Sequence, residues 1–131
     1  MKDVSFLTPE IVIKLHSLQI MKFGGDSSLR DANLLDSACA MPVAVFGDEY
    51  LHADVFEMAA AYLYHITKNH PFVDGNKRTG LISAMVFLDI NGYVVNSGDD
   101  ELYRVALSVA EGSLGKPDVA DFFRKWTEIK D

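Results

Sequence analysis

Apolar residues recur along most of the chain with helical rather than strand-like spacing. Thr8 followed by Pro9 gives an N-cap and a proline at the first helical position, and Ile11, Ile13, Leu15 and Leu18 carry the pattern to a stop at Gly24 and Gly25. A second, shorter helix is expected over residues 31–41, ended by Pro42, and the stretch through Gly47 to Tyr50 reads as an irregular connection. Residues 54–69 and 76–91 differ from these in being apolar almost all round, with Val55, Phe56, Met58, Leu63 and Ile66 in the first and Leu81, Ile82, Met85, Phe87 and Ile90 in the second. Helices of that kind belong inside, so the two are expected to form a central buried hairpin. Asn91 and Gly92 supply the C-cap signal. Tyr93, Val94 and Val95 suggest a short strand, with Val4, Ser5 and Phe6 as its partner. Ser97 is placed to cap a fifth helix whose first turn holds Asp99, Asp100 and Glu101, where the helix dipole favours negative charge. Pro117 begins a sixth, in which Val119, Phe122, Phe123 and Trp126 follow the spacing of a buried stripe. The expected fold is all-α: a compact bundle of about six helices around a central helical hairpin, with at most one minor β-pairing.

No repeat, low-complexity tract or polar linker divides the sequence, which predicts one domain over residues 1–131. A length of 131 residues with 49% hydrophobic side chains suffices for one sizeable core. The amino-terminal stretch, Met1, Lys2, Asp3, Val4, Ser5 and Phe6, lacks the apolar run of a signal peptide, and no segment of about 18 apolar residues follows, so a soluble, cytoplasmic protein without a membrane partner is expected. Cys39 is the single cysteine, which excludes an internal disulfide and removes the thiol pairs of a structural zinc site. It reads as a small core residue. A net charge of −7 argues against nucleic acid as a direct partner. Against that acidic background Lys68, His70, Lys77 and Arg78 fall within eleven residues and form one local positive feature.

That feature lies between the two apolar helices, in the run His70, Pro71, Phe72, Val73, Asp74, Gly75, Asn76, Lys77, Arg78 and Thr79. Pro71 disfavours helical geometry at His70, so the preceding helix should end there and leave the imidazole on a rigid, partly exposed corner. Phe72 suits an apolar anchor, Asp74 and Gly75 suit a tight turn, and the next helix should start near Asn76. A helix start leaves backbone N–H groups without carbonyl partners and carries roughly half a positive charge, which together make an anion site. Lys77 and Arg78 add two cations to that turn and Asn76 a neutral donor and acceptor, so phosphate is the indicated ligand. Asp74 offers an oxygen of the kind magnesium uses alongside substrate phosphates. An imidazole at His70, with an unperturbed pKa of about 6.5, suits proton transfer at neutral pH. A plainer reading stands beside this one, in which Asp74 caps a helix, Phe72 is core, and Lys77 and Arg78 are a solvated first turn.

The segment resembles the signature HPFxxGN of the Fic/Doc family (filamentation induced by cyclic AMP; death on curing), with His70, Pro71, Phe72, Gly75, Asn76 and Arg78 matching position by position. Members that transfer AMP carry glycine where this chain has Lys77 and a second arginine where it has Leu81. Gly75, Asn76, Lys77, Arg78 and Thr79 together look like the Doc branch. That resemblance implies a toxin of a toxin–antitoxin pair: a protein kinase that transfers the γ-phosphate of ATP, with Mg2+, to a hydroxyl of a target protein, with a translation elongation factor as the expected target. It further implies His70 as general base, Asp74 as metal ligand, and Gly75, Asn76, Lys77 and Arg78 as the nucleotide-phosphate cradle, with Pro71 and Phe72 anchoring the loop. The alternatives are a Fic-type AMP transferase and a catalytically idle interaction module. The family's internal inhibitory motif has its nearest match at residues 107–112, but Leu107 stands where a hydroxyl is needed, so restraint by a separate antitoxin protein is expected.

His16, His52 and His65 read as structural, having no metal-ligand partner at helical spacing. Tyr62, Tyr64 and the stripe of Phe122, Phe123 and Trp126 read as packing.

Overall fold

A computed structural model describes residues 3–131; Met1 and Lys2, part of the stretch read above for a leader, lie outside them. The elements run α1 (Pro9–Phe23), α2 (Ala32–Ala40), β1 (Val45–Phe46), β2 (Glu49–Tyr50), α3 (Val55–Asn69), α4 (Asn76–Ile90), β3 (Tyr93–Val95), α5 (Asp99–Glu111), α6 (Lys116–Trp126) and β4 (Thr127–Ile129). This is the expected all-α bundle with minor β-pairing. Local chemistry sets several helix starts, that of α1 as anticipated. The Thr8 hydroxyl accepts from the Ile11 N–H at 3.3 Å, the Asp31 carboxylate from Leu34 at 3.0 Å, and the Asp54 carboxylate from Glu57 at 2.9 Å. Among the described residues no helix is long and apolar enough to cross a membrane.

The antiparallel pair α3 and α4 forms the centre, with α2 and α6 packed on α3 and with α1 and α5 packed on α4. Met58, Ala59, Ala60, Ala61, Tyr62 and Leu63 are wholly buried, as the all-round apolar pattern requires. Tyr62 brings a hydroxyl into this core and satisfies it by accepting from the Leu7 N–H at 2.8 Å and donating to the Leu7 carbonyl at 3.2 Å, which fixes the chain leading into α1. Cys39 is buried, and desolvation with Asp36 close by pushes its thiol up to about 12, as befits a core residue rather than a nucleophile.

Gly80 sets how closely the two central helices approach. A Cβ there would sit 2.8 Å from Thr67 Oγ1 and 3.0 Å from the Leu63 carbonyl. Backbone cannot yield as a flexible side-chain end does, so Gly80→Ala is expected to cost about 1–2 kcal/mol despite alanine's better helix propensity, lowering Tm by roughly 5 °C. Thermal denaturation followed by circular dichroism checks this, and an unchanged or raised Tm would show that the pair relaxes at no cost.

Five expectations need correction. Strand β3 pairs antiparallel with β4, Tyr93 opposite Ile129 and Val95 opposite Thr127, rather than with Val4, Ser5 and Phe6. The amino-terminal stretch is instead held by Asn91, whose side chain accepts from the Ser5 N–H and donates to the Ser5 carbonyl, both at 2.9 Å, while Phe6 stacks on Phe87. Second, the supposed irregular connection before α3 contains a hairpin, β1 with β2, turning at Gly47 and Asp48 with Gly47 at φ 66°, a position suited to glycine. Third, Ser97 does not cap α5. Gly98 occupies that position, and the Ser97 hydroxyl reaches one turn on to Glu101 at 3.0 Å. Fourth, the buried stripe of α6 is Val119, Ala120 and Phe123; Phe122 is half-buried and Trp126, where the helix gives way to β4, is 37% exposed. Fifth, the apolar pattern of α1 does not mark its inward face: Val12 and His16 are buried, whereas Ile11, Ile13 and Leu18 are exposed.

Candidate active site

Helix α3 ends where the sequence indicated, but in a different way. His70 takes the left-handed conformation, φ 53° and ψ 54°, rather than the extended one favoured before proline, and its N–H closes the helix on the Ile66 carbonyl at 3.2 Å. It is the one described residue other than glycine with positive φ. Histidine tolerates this region better than most residues, and the neighbouring contacts hold it there. The Arg30 guanidinium donates through Nε to the His70 carbonyl at 2.7 Å and through an Nη to the Asn69 carbonyl at 3.1 Å, capping the end of α3 with a cation. The His70 side chain is exposed and makes no hydrogen bond among the described residues, so both ring nitrogens remain available to another molecule.

From His70 the loop runs inward. Pro71 and Phe72 are buried, and a strand-like segment pairs with them: the Arg30 N–H donates to the Pro71 carbonyl at 2.7 Å and the Val73 N–H to the Ser28 carbonyl at 3.1 Å. Phe72 stacks face to face on His16, centroids 3.7 Å apart with planes 7° from parallel. His16 Nε2 lies 2.7 Å from the Asp74 carbonyl; a carbonyl only accepts, so this nitrogen carries the proton and donates. The reading of His16 as structural thus gains a specific content: it holds the loop from beneath.

Asn76 departs from its expected role. Its side-chain oxygen accepts from the Phe72 N–H and its amide nitrogen donates to the Phe72 carbonyl, both at 2.9 Å, and the residue is buried. The side chain expected to hold phosphate is spent within the loop. What Asn76 offers outward is backbone N–H at the start of α4. That start is bare: Gly75, at φ 80°, occupies the cap position, no side chain caps the helix, and its first turn holds no acidic residue, unlike those of α5 and α6. Glycine is required there both by the positive φ and by crowding, since a Cβ would lie 3.2 Å from the Ile20 side chain and 3.5 Å from the His16 ring.

A cleft of about 370 Å³ opens over this helix start, between α1, the loop and α5. Asp74, Gly75, Asn76, Lys77 and Arg78 all line it. Asp74 is exposed, and one carboxylate oxygen accepts from the Asp26 N–H at 2.8 Å. Lys77 and Arg78 form no ion pair among the described residues, although the chain is strongly acidic. The structure therefore brings Asp74, Gly75, Lys77 and Arg78 to one cleft, places His70 at the opposite end of the same loop outside the cleft wall, and withdraws the Asn76 side chain. Phe23 and Tyr103 line the cleft as well and were not singled out from sequence. The spacing carried no sign of them, since they come from the end of α1 and from α5.

The family model for the Fic/DOC family matches residues 6–88, which takes in α1 to α3, the whole loop and all but the last two residues of α4. The chain belongs to the Fic/Doc family. Within it this Fic/Doc protein sides with the Doc branch. It is 34% identical over 119 residues to "Protein kinase doc" of Escherichia phage P1, covering 91% of this chain and 93% of that protein. It is also 44% identical over 90 residues to "Toxin Doc" of Mycolicibacterium smegmatis, covering 64% of this chain and 69% of that one.

This Fic/Doc chain also has a cluster that sequence spacing concealed. Lys116 Nζ, at the start of α6, lies 2.9 Å from His65 Nε2 and 3.3 Å from His52 Nε2. The ammonium donates to both rings, which must then be neutral. Burial, with Lys116 close by, lowers both imidazoles, His65 to about 4. Glu57 faces the same pocket but is engaged by Arg124, as are Asp54 and Asp121. A histidine held below its unfolded pKa of about 6.5 favours the fold fully above that pH and loses its contribution as pH falls toward 4. Discounted for partial solvent access, His65 is expected to remove on the order of 1–2 kcal/mol of stability as pH falls from about 6.5 toward 4. Unfolding of wild type and His65→Asn at pH 7.5 and pH 4.5 checks this: the variant should lose less stability across the interval, and equal losses would contradict it.

Proposed function

We propose that this chain is a Doc-type toxin, a protein kinase that moves the γ-phosphate of ATP to a hydroxyl group of a target protein. The observation that carries the reading is the bare start of α4, with its unpartnered N–H groups and two unpaired cations opening on a cleft. Such a site suits a polyphosphate. Lys77 supports a kinase over an AMP transferase, because a long cation in the first turn crowds a diphosphate laid along the helix start yet can neutralise a terminal phosphate. Leu81, half-buried beside Arg78 in the adjoining groove, gives no second arginine for the other pose.

In the reaction the target hydroxyl oxygen bonds to the γ-phosphorus while the bond from that phosphorus to the β-phosphate oxygen breaks, releasing ADP. His70, exposed and without a partner, takes the hydroxyl proton. The backbone of Gly75 and Asn76, with Lys77 and Arg78, holds the phosphates in line, and phosphoryl transfer asks the protein for little more than positioning and charge neutralisation. Asp74 suits a magnesium ion in its chemistry: an exposed carboxylate with one oxygen steadied by the Asp26 N–H, in a cleft where the nucleotide supplies the other oxygens. Mg2+ bound there would add charge neutralisation to the phosphates.

The names of the relatives, a kinase and a toxin, support the same reading. By extension the target is a translation elongation factor, the cytoplasm is the place of action, and a separately encoded antitoxin restrains the protein, since Leu107 breaks the internal inhibitory pattern. ATP labelled at either the α- or the γ-phosphate, incubated with the purified protein and a bacterial lysate, tests the reaction. Label should reach a protein band from the γ position only. Transfer from the α position alone would establish AMP transfer instead.

A further inference from the structure

Among the described residues Arg78 is engaged by two aromatic rings and by no side-chain hydrogen bond or ion pair. Its Cζ lies 3.6 Å from the centroid of the Phe23 ring and 4.1 Å from that of Tyr103. Both rings lie within cation–π distance of the guanidinium carbon, so together they confine the group. All the N–H donors lie at its edge, and none is engaged by a side chain or carbonyl among the described residues. The groove that continues from the cleft past Arg78 also contains Asp99 and Asp100, yet neither pairs with it. A mobile arginine on a chain of net charge −7 would find a carboxylate. Confinement by the rings prevents this.

We infer that Phe23 and Tyr103 are positioning residues that hold the Arg78 guanidinium in the cleft wall, with its donors presented to a nucleotide phosphate and kept from the neighbouring carboxylates. The inference rests on the nucleotide reading of the cleft. The rings supply two things. They orient a planar fork that binds phosphate through paired N–H groups, and they shield the cation from water without neutralising it. Phe23 ends α1 and Tyr103 lies in α5, so the phosphate grip on α4 depends on two elements that contribute no polar ligand of their own.

Isothermal titration with ATP and Mg2+ tests the clamp on the full chain. Phe23→Leu and Tyr103→Leu should each weaken ATP binding about tenfold, whereas Tyr103→Phe, which keeps the ring, should bind as the wild type does. In the transfer assay each leucine variant should raise the KM for ATP by a similar factor and leave kcat within about twofold, a split that loss of packing alone would not produce. Wild-type ATP affinity in both leucine variants would overturn the clamp while leaving the nucleotide reading intact. Failure of the wild type to bind ATP would overturn both. A measurement on the wild type alone covers the case of a misfolded variant: the Arg78 side-chain protons should be shifted by the ring currents of Phe23 and Tyr103, and unshifted resonances would overturn the clamp.

Discussion

Replacing His70 with asparagine is expected to lower protein phosphorylation at least about a hundredfold while leaving ATP affinity and stability near those of the wild type. Asparagine is the informative substitution because the position requires a left-handed backbone, φ 53°, which asparagine accepts and alanine resists. The proton acceptor is thus removed without disturbing the turn on which Arg30 and the Pro71 carbonyl depend. The His70 side chain is exposed and unbonded, so its loss leaves no buried group unsatisfied. The γ-labelled ATP assay reads the rate, and growth of a bacterial host producing each form reads the consequence: arrest with wild type, growth with His70→Asn. Equal rates and equal arrest would remove His70 from the chemistry.

Phe72→Ala should be the most damaging single change to the fold, at about 3–5 kcal/mol in chemical denaturation. The ring is wholly buried and stacked on His16, whose Nε2 holds the Asp74 carbonyl, and the Phe72 backbone is tied at both ends to the Asn76 side chain. An empty space there frees His16 to shift, and Asp74 and Gly75 with it. ATP binding should therefore fall even at temperatures where the variant remains folded. Phe72→Leu, which keeps most of the volume, should retain more of both. A loss below about 1 kcal/mol for the alanine variant would mean the loop is anchored elsewhere.

The central hairpin was legible because residues 54–69 and 76–91 are apolar almost all round, and their ends are marked by Asp54 on one side and Asn91 with Gly92 on the other. The loop was legible in position and in most of its chemistry, since Pro71, Gly75 and the start of α4 each follow from local rules. What escaped depended on distant residues. Asn76 looked like a free polar donor until its partner, the Phe72 backbone, was placed. His16 occupied the buried face of α1 at i+4 from Val12, a signal present in the spacing but masked by aliphatic residues around the whole helix. The rings on Arg78 come from 55 positions earlier and 25 later, and Lys116 meets His52 and His65 from 64 and 51 positions away, separations that no periodicity records. Strand β4 was hidden for another reason: Thr127 to Ile129 follow directly on α6, and no turn residue marks the change.

The reciprocal hydrogen bonds between Asn76 and the Phe72 backbone mean that the loop takes its shape during folding and not on arrival of a ligand. The entropy of ordering those residues is already charged to the native state, so an incoming nucleotide meets a preorganised cradle. The amide hydrogen of Phe72 should accordingly exchange at a rate set by opening of the central hairpin whether or not a nucleotide is bound, whereas the unpartnered amides at the start of α4 should exchange quickly until a nucleotide covers them.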